Sequence, residues 1–190
     1  MADSIRPDRL YFTDSDEANE LLARDPLALL IGFALDQQVP LQTAFSGPLK
    51  LKQRLGSIDA GELAGMEPER LEAACREKPA VHRFPGTMAI RIQELARAVV
   101  SEYEGDAARL WNQAKDGADL RRRIGALPGF GDMKITALGS VLAKRFGVAA
   151  AQELLPNHPT LADIDSNETR ERYQAQKRAY KASQRAARSG

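Results

Sequence analysis

Two glycines between Leu127 and Gly131 carry the strongest local chemical signal in the 190-residue sequence. The segment reads Leu-Pro-Gly-Phe-Gly and joins two stretches whose apolar residues have helical spacing, at about 120–126 and 135–146. Glycine adopts backbone conformations closed to other residues and leaves no side chain over a turn. The helix that follows presents free N–H groups and the positive end of its dipole. The pattern predicts a phosphate site, with an ordinary glycine-rich corner between two helices as the alternative.

This segment resembles the helix-hairpin-helix motif of DNA-binding proteins, with the hairpin spanning about 120–146. The resemblance implies that the backbone around Gly129, Phe130 and Gly131 grips a DNA phosphate. Lys134, in the helix that follows, would add a salt-dependent attraction to the DNA backbone. Double-stranded DNA is therefore the expected partner.

Two further segments extend the resemblance to a whole enzyme superfamily. The stretch from Leu29 to Pro40 is an apolar helix that ends in Gln37-Gln38, and Gln38 precedes Gly129 by 91 residues. The stretch 86–100 is similar to the middle helix of the same proteins. In this order and spacing, the segments resemble the base-excision DNA glycosylases of the helix-hairpin-helix (HhH-GPD) superfamily, both endonuclease-III-like and 3-methyladenine-glycosylase-like.

The resemblance covers about residues 27–147 and implies hydrolysis of the N-glycosidic bond of a damaged base flipped from duplex DNA. Taking a base out of the stack costs a few kcal/mol, and something must fill the gap that it leaves. Gln38 stands where relatives carry the residue with this role, and its amide can bond the orphaned partner base. Gln37 is expected to brace the loop instead.

The catalytic carboxylate departs from the superfamily pattern. Relatives carry it about 20 residues after the second hairpin glycine, and that count reaches Ala151, where this chain has no acid. Asp165 lies in the sequence Ile-Asp-Ser, which resembles the family's Val-Asp-Thr, and would cap the last helix with Glu168 closing a capping box. A carboxylate near the sugar stabilises the positive charge that develops as the bond breaks. Asp165 is the first candidate, and Asp163 and Asp36 are the alternatives.

A base pocket and a further DNA contact are predicted from side-chain type. Phe33, Phe45, Phe84 and Trp111 could stack on a flipped base, although each could equally belong to the core. Arg83 precedes the middle helix and could reach a phosphate, or lie in a solvated loop.

Other positions narrow the chemistry and the cofactors. Relatives that also cleave the DNA strand carry a lysine two residues after the second hairpin glycine, where this chain has Met133. We therefore expect a glycosylase without lyase activity. The single cysteine, Cys75, excludes the iron–sulfur cluster of endonuclease-III relatives, and no structural metal site is expected. The one bound ion that the resemblance implies is Na⁺ or K⁺, held by the carbonyl oxygens of Leu127 and Gly129.

The charge distribution also fits a polyanionic partner. Residues 1–120 hold 14 Lys and Arg against 20 Asp and Glu, whereas residues 121–190 hold 13 against 6. A basic C-terminal third is a possible footprint for DNA or only a solvated basic helix. Two other functions stay open: a damaged-DNA-binding protein that has lost the carboxylate, and a helical protein-interaction domain.

The length and pattern predict one all-α, two-lobed domain over residues 1–190. About ten helices are joined by proline and glycine turns, and no sustained alternation of apolar and polar residues indicates a strand. Residues 183–190 are expected to be a frayed tail. No apolar run approaches the roughly 20 residues of a membrane span, and the first residues do not resemble a signal peptide. A cytoplasmic monomer is therefore expected.

Overall fold

A computed structural model describes residues 6–188. Within that range the chain forms helices and no strand, so the predicted all-α class is confirmed. Ten α-helices follow in chain order: α1 Asp16–Arg24, α2 Pro26–Leu35, α3 Leu41–Leu55, α4 Ala60–Gly65, α5 Pro68–Arg76, α6 Pro85–Tyr103, α7 Arg109–Asn112, α8 Gly117–Gly125, α9 Asp132–Phe146 and α10 Asn167–Arg188. Two short 3-10 helices, Ala149–Leu154 and Leu161–Asp163, lie between α9 and α10.

Helix α2 is the centre of the first lobe. The Asp25 side chain caps it by accepting hydrogen bonds from the N–H groups of Leu27 and Ala28, and Pro26 occupies the first turn. Every residue of α2 after Pro26 is buried. Helices α1, α3 and α6 pack around it, and α4 and α5 pack on α6. An all-apolar helix of this kind must lie inside the fold, so its C-terminal end has a fixed position.

Helix α3 continues through a proline without a break. The structure has one helix, Leu41–Leu55, with Pro48 inside it. Proline removes one backbone hydrogen bond, but Gly47 and Pro48 are both buried against neighbouring elements. A Cβ on Gly47 would lie 2.3 Å from Leu35 Cδ1, which shows how closely α3 approaches α2. This packing outweighs the local cost of the proline.

The second lobe consists of α7, α8, α9 and the two 3-10 helices. Both 3-10 helices pack on α9, and the first also packs on α8. Ala151, Leu154 and Leu161 are buried in these contacts. The segment 148–165 therefore supports the helix that follows the hairpin.

Helix α10 extends the chain beyond this lobe. The buried Arg170 fixes its first turns by donating hydrogen bonds to the Thr13 carbonyl oxygen and to the Asp14 carboxylate. The helix continues to Arg188, whereas the sequence predicts a frayed tail from residue 183 onward. Alanines at three of the last seven described positions favour a helix there. Residues 189–190 of the predicted tail lie outside the described range. Among the described residues, no helix is long and apolar enough to span a membrane.

Candidate functional site

A cleft of about 930 Å³ opens where the hairpin, the end of α2 and the side of α10 meet. Its walls come from both lobes and from the C-terminal helix. The lining residues used below are Phe33, Asp36, Gln37, Gln38, Arg91, Leu127, Gly129, Phe130, Gly131, Met133, Lys134, Tyr173, Lys177 and Lys181.

The hairpin turn lies between α8 and α9, and its two glycines have different functions. Gly129 has a φ of +78°, a conformation that side chains disfavour. Gly131 has an extended backbone with a φ of −88° and caps α9 without a side chain. A Cβ on Gly131 would have no heavy atom within 4 Å, so this residue leaves open space in front of the helix N-terminus. The turn therefore exposes the first backbone N–H groups of α9 to the cleft.

The apolar residues of the turn hold the hairpin on the core. Leu127 and Phe130 are only 4% and 5% exposed, and the Phe130 N–H donates to the Leu127 carbonyl oxygen at 3.2 Å. The prediction that Phe130 contacts DNA needs correction, because its side chain is buried and its N–H is occupied. Phe130 anchors the hairpin, and Lys134 Nζ lies 5.4 Å from the centre of its ring.

The loop after α2 presents Gln38 at the mouth of the cleft. Gln38 is exposed and has a positive φ of 57°, which is uncommon for a residue other than glycine. The neighbouring Gln37 is held twice: its carbonyl oxygen accepts from His82 Nε2 at 2.8 Å, and its side-chain Oε1 accepts from Arg91 at 2.5 Å. Gln37 thus braces the loop, and Gln38 is free to project from it.

Arg91 on α6 connects the loop to the hairpin. Besides its bond to Gln37, its side chain lies against Gly129, where an added Cβ would come within 3.0 Å of Arg91 Cδ and Nε. Gly129 therefore satisfies two requirements, the positive φ and the close approach of Arg91. Sequence reasoning missed Arg91, although it interrupts the apolar pattern of the predicted middle helix.

The tautomer of His82 follows from its contacts. Its Nδ1 accepts a hydrogen bond from the Phe84 N–H at 3.0 Å, so that nitrogen carries no proton, and Nε2 donates to Gln37. The imidazole is 2% exposed, and burial lowers the pKa of His82 below its ordinary value. The neutral ring is thus part of the loop's support.

The free energy of unfolding should fall as the pH drops below 6.5, the ordinary pKa of histidine. In that range the unfolded chain takes up a proton at His82 before the folded chain does, with a slope of at most about 1.4 kcal/mol per pH unit. Urea denaturation from about pH 7.5 to about pH 5 measures this. His82→Gln should remove this component, and His158→Gln, at an exposed position, should keep it. The same profile in the wild type and His82→Gln would contradict the assignment.

Of the three candidate carboxylates, the cleft contains Asp36. Asp36 is half-buried at the C-terminal end of α2, where its N–H donates to Gly32 and Phe33. Burial raises the pKa of Asp36, while the positive charges of Lys177, Lys134 and Lys181 oppose the rise. A carboxylate at the negative end of a helix dipole is also unfavourable. Such a costly position is typical of a functional group.

Asp165 and Asp163 lie elsewhere. Asp165 is exposed, does not line the cleft, and accepts a hydrogen bond from Thr169 Oγ1 at 3.0 Å. The predicted cap of α10 by Asp165 and Glu168 is replaced by Ser166, whose Oγ accepts from the Thr169 N–H. Asp163 also lies outside the cleft lining and bonds Lys144 Nζ at 2.5 Å and the Thr160 N–H at 2.7 Å. Burial works to raise the pKa of Asp163, but these hydrogen bonds outweigh it, and the pKa is lowered.

The aromatic residues predicted for the base pocket also divide into those that line the cleft and those that do not. Phe33 forms part of the cleft wall, although it is only 1% exposed. Phe45 is fully buried and meets the Phe33 ring edge-on at 5.1 Å, while Trp111 is buried beside Phe146. Both belong to the core and do not line the cleft, so they are not pocket residues. The sequence did not indicate Tyr173, which reaches the cleft from α10.

Arg83 also lies outside the cleft lining. Its guanidinium stacks on the exposed Phe84 ring at 4.7 Å from the ring centre. The cations that line the cleft are instead Arg91, Lys134 and two lysines of α10.

Comparison with known families agrees with this geometry. The model of the HhH-GPD superfamily base excision DNA repair proteins matches residues 31–185. The chain belongs to the HhH-GPD superfamily. The matched range includes the loop after α2, the hairpin and most of α10, and it confirms the resemblance on which the prediction rested. Proteins of the HhH-GPD superfamily act on DNA in base excision repair. No curated protein and no solved structure matches the chain.

Proposed function

We propose that this protein is a DNA glycosylase that hydrolyses the N-glycosidic bond of a modified base flipped from duplex DNA, with Asp36 as its catalytic carboxylate. The observation that carries the proposal is the position of Asp36. It lies half-buried in one cleft with the open hairpin turn and with the loop that presents Gln38.

The hairpin would bind the DNA backbone. The open face of Gly131 leaves the N-terminal amides of α9 accessible to a phosphate oxygen. A monovalent cation would bind the carbonyl oxygens of Leu127 and Gly129. The Leu127 oxygen keeps one lone pair for it, because the Phe130 N–H uses the other. Gln38, on a loop braced by His82 and Arg91, would enter the gap that the flipped nucleotide leaves.

Asp36 supplies the electrostatic part of the reaction. As the glycosidic bond breaks, positive charge develops on the sugar, and a fixed carboxylate stabilises that charge and can orient the attacking water. Its partial burial makes the interaction stronger than it would be in water. Burial raises the pKa of Asp36, and the charges of the nearby lysines oppose that rise and so favour the ionised carboxylate.

Lys134 bears on whether strand cleavage accompanies base excision. Burial lowers the pKa of Lys134, which favours a neutral amine, but its Nζ also donates to the Ala34 carbonyl oxygen at 3.3 Å. We propose that Lys134 is tied to the end of α2 and that the enzyme releases the base without cutting the strand. A borohydride-trapped covalent complex with DNA would contradict this part of the proposal.

The function is tested with the full chain and a panel of duplexes that contain uracil or a deaminated, alkylated or oxidised base. Excision is read as strand breaks that appear only after treatment with alkali. At least one lesion should give such breaks. Tight binding to a lesion duplex without cleavage on the whole panel would instead favour the damaged-DNA-binding protein.

A further inference from the structure

The outer part of α10 is a basic, solvent-exposed helix. Residues 175–188 are all exposed. From Arg172 to Arg188 the helix carries six Lys and Arg residues and no acidic residue. A helix that is polar all round needs support either from charged pairs along its own surface or from contacts beyond the domain. We call residues 172–188 the basic arm.

The cations of the basic arm are concentrated on one side. With about 100° per residue, Lys177, Lys181, Arg185 and Arg188 fall within an arc of about 80°. The first two line the same cleft as the hairpin and Asp36. The charged side of the arm is therefore continuous with the candidate DNA-binding cleft.

The base of the arm is held firmly. Arg170 donates hydrogen bonds to Thr13 and Asp14 of the N-terminal segment, and it donates a further one to Asn167 Oδ1 at 3.1 Å. Tyr173 is half-buried at the cleft wall, and Lys177 Nζ lies 6.0 Å from the centre of its ring. The direction in which the arm leaves the domain is thus fixed by buried contacts at its first turns.

We propose that the basic arm contacts the phosphates of the duplex beside the flipped nucleotide, so that DNA is held between the hairpin and the arm. The arm is about 25 Å long at 1.5 Å per residue. Duplex DNA carries one charge per about 1.7 Å of its axis, so an arm of this length can meet several phosphates. The inference rests on the proposed function, because it takes DNA as the ligand of the cleft.

Duplex DNA fits this surface better than a membrane or a partner helix does. A membrane-bound amphipathic helix needs a broad apolar face, and a helix that docks in a protein groove needs apolar anchors at regular spacing. The large exposed hydrophobic residue of the basic arm is Tyr180. The arm therefore offers charge without an apolar face.

The test compares two double variants of the full chain. Lys177→Gln with Lys181→Gln removes two cations that line the cleft, and Arg172→Gln with Arg178→Gln removes two cations of the same helix that do not line it. All four positions are exposed, and glutamine has nearly the same helix propensity. Affinity for an undamaged duplex is measured from about 0.05 to about 0.2 M salt, and circular dichroism checks the helix content.

The cleft-side variant should reduce the slope of log affinity against log salt by about two and weaken binding roughly tenfold or more. The control variant should change the slope by less than half as much. Equal effects of the two variants, or no effect of the cleft-side pair, would overturn the inference. Stronger loss of binding to anionic vesicles than to DNA would also overturn it. If the wild type does not bind duplex DNA at all, the proposed function fails as well, so the two failures are distinguishable.

Discussion

Asp36→Asn should lower the single-turnover rate of base excision by about 10³-fold while its affinity for a lesion duplex stays within a few-fold of the wild type. The amide keeps the shape of the side chain but loses the negative charge that opposes the developing positive charge on the sugar. Binding depends on the hairpin amides and the cleft cations, which the substitution leaves in place.

Two matched controls belong to this experiment. Asp165→Asn and Asp163→Asn remove carboxylates that lie outside the cleft lining, so both should excise bases at nearly the wild-type rate. A large loss of excision rate with Asp165→Asn and a small one with Asp36→Asn would instead assign the catalytic carboxylate to Asp165.

The raised pKa of Asp36 gives this prediction a pH dependence and a stability readout. The rate should fall on the acid side at a pH above the ordinary Asp value of 3.8, because the carboxylate must be ionised. Above that range the ionised Asp36 lowers the free energy of unfolding, since the folded state disfavours its charge. Asp36→Asn should therefore be at least as stable as the wild type near neutral pH, as measured by urea denaturation.

Gly131→Leu should weaken binding to duplex DNA by about tenfold to a hundredfold and lower the free energy of unfolding by no more than about 1 kcal/mol, the usual loss for a poorer N-cap residue. Gly131 has an unstrained backbone, and a side chain there meets open space within the protein. The added side chain would occupy the space in front of the α9 amides, so the charge-assisted bonds to a phosphate, about 1.5–3 kcal/mol each, would be lost. Fluorescence anisotropy and urea denaturation measure the two quantities.

Two other glycines serve as references for this variant. Gly65→Leu also points into open space but lies at the end of α4, outside the cleft lining, and should bind DNA normally. Gly129→Ala should lose stability, because this position has a positive φ and faces Arg91 at 3.0 Å. If Gly131→Leu bound DNA like the wild type, the hairpin would not be the phosphate site.

The structural features that the sequence could predict are local. The hairpin and the helix that ends in Gln37-Gln38 are contiguous patterns, in which residue type and backbone requirement coincide. Phe45 and Trp111 could not be assigned in this way, because an aromatic residue on an apolar face has the same pattern whether it lines a pocket or fills the core.

The carboxylate required tertiary information. The sequence favoured Asp165 because it stands before the last helix. In the structure Asp165 is exposed, and its carboxylate accepts a hydrogen bond from Thr169 Oγ1. Asp36 reaches the cleft because the buried α2 ends there, and the lysines around it come from α9 and α10, about 100 and 140 residues later. Arg91 and Arg170 likewise act through contacts between distant segments, with Gly129 and with Thr13.

The most direct test of the central claim does not require knowledge of the excised base. Two duplexes are compared, one with a neutral tetrahydrofuran abasic analogue and one with a pyrrolidine analogue whose protonated ring nitrogen imitates the cationic sugar of the transition state. The wild type should bind the cationic analogue about a hundredfold more tightly or better, and Asp36→Asn should lose this preference to within a few-fold. Equal affinity of the wild type for the two duplexes, or an unchanged preference in Asp36→Asn, would contradict the assignment of this cleft as a glycosylase active site.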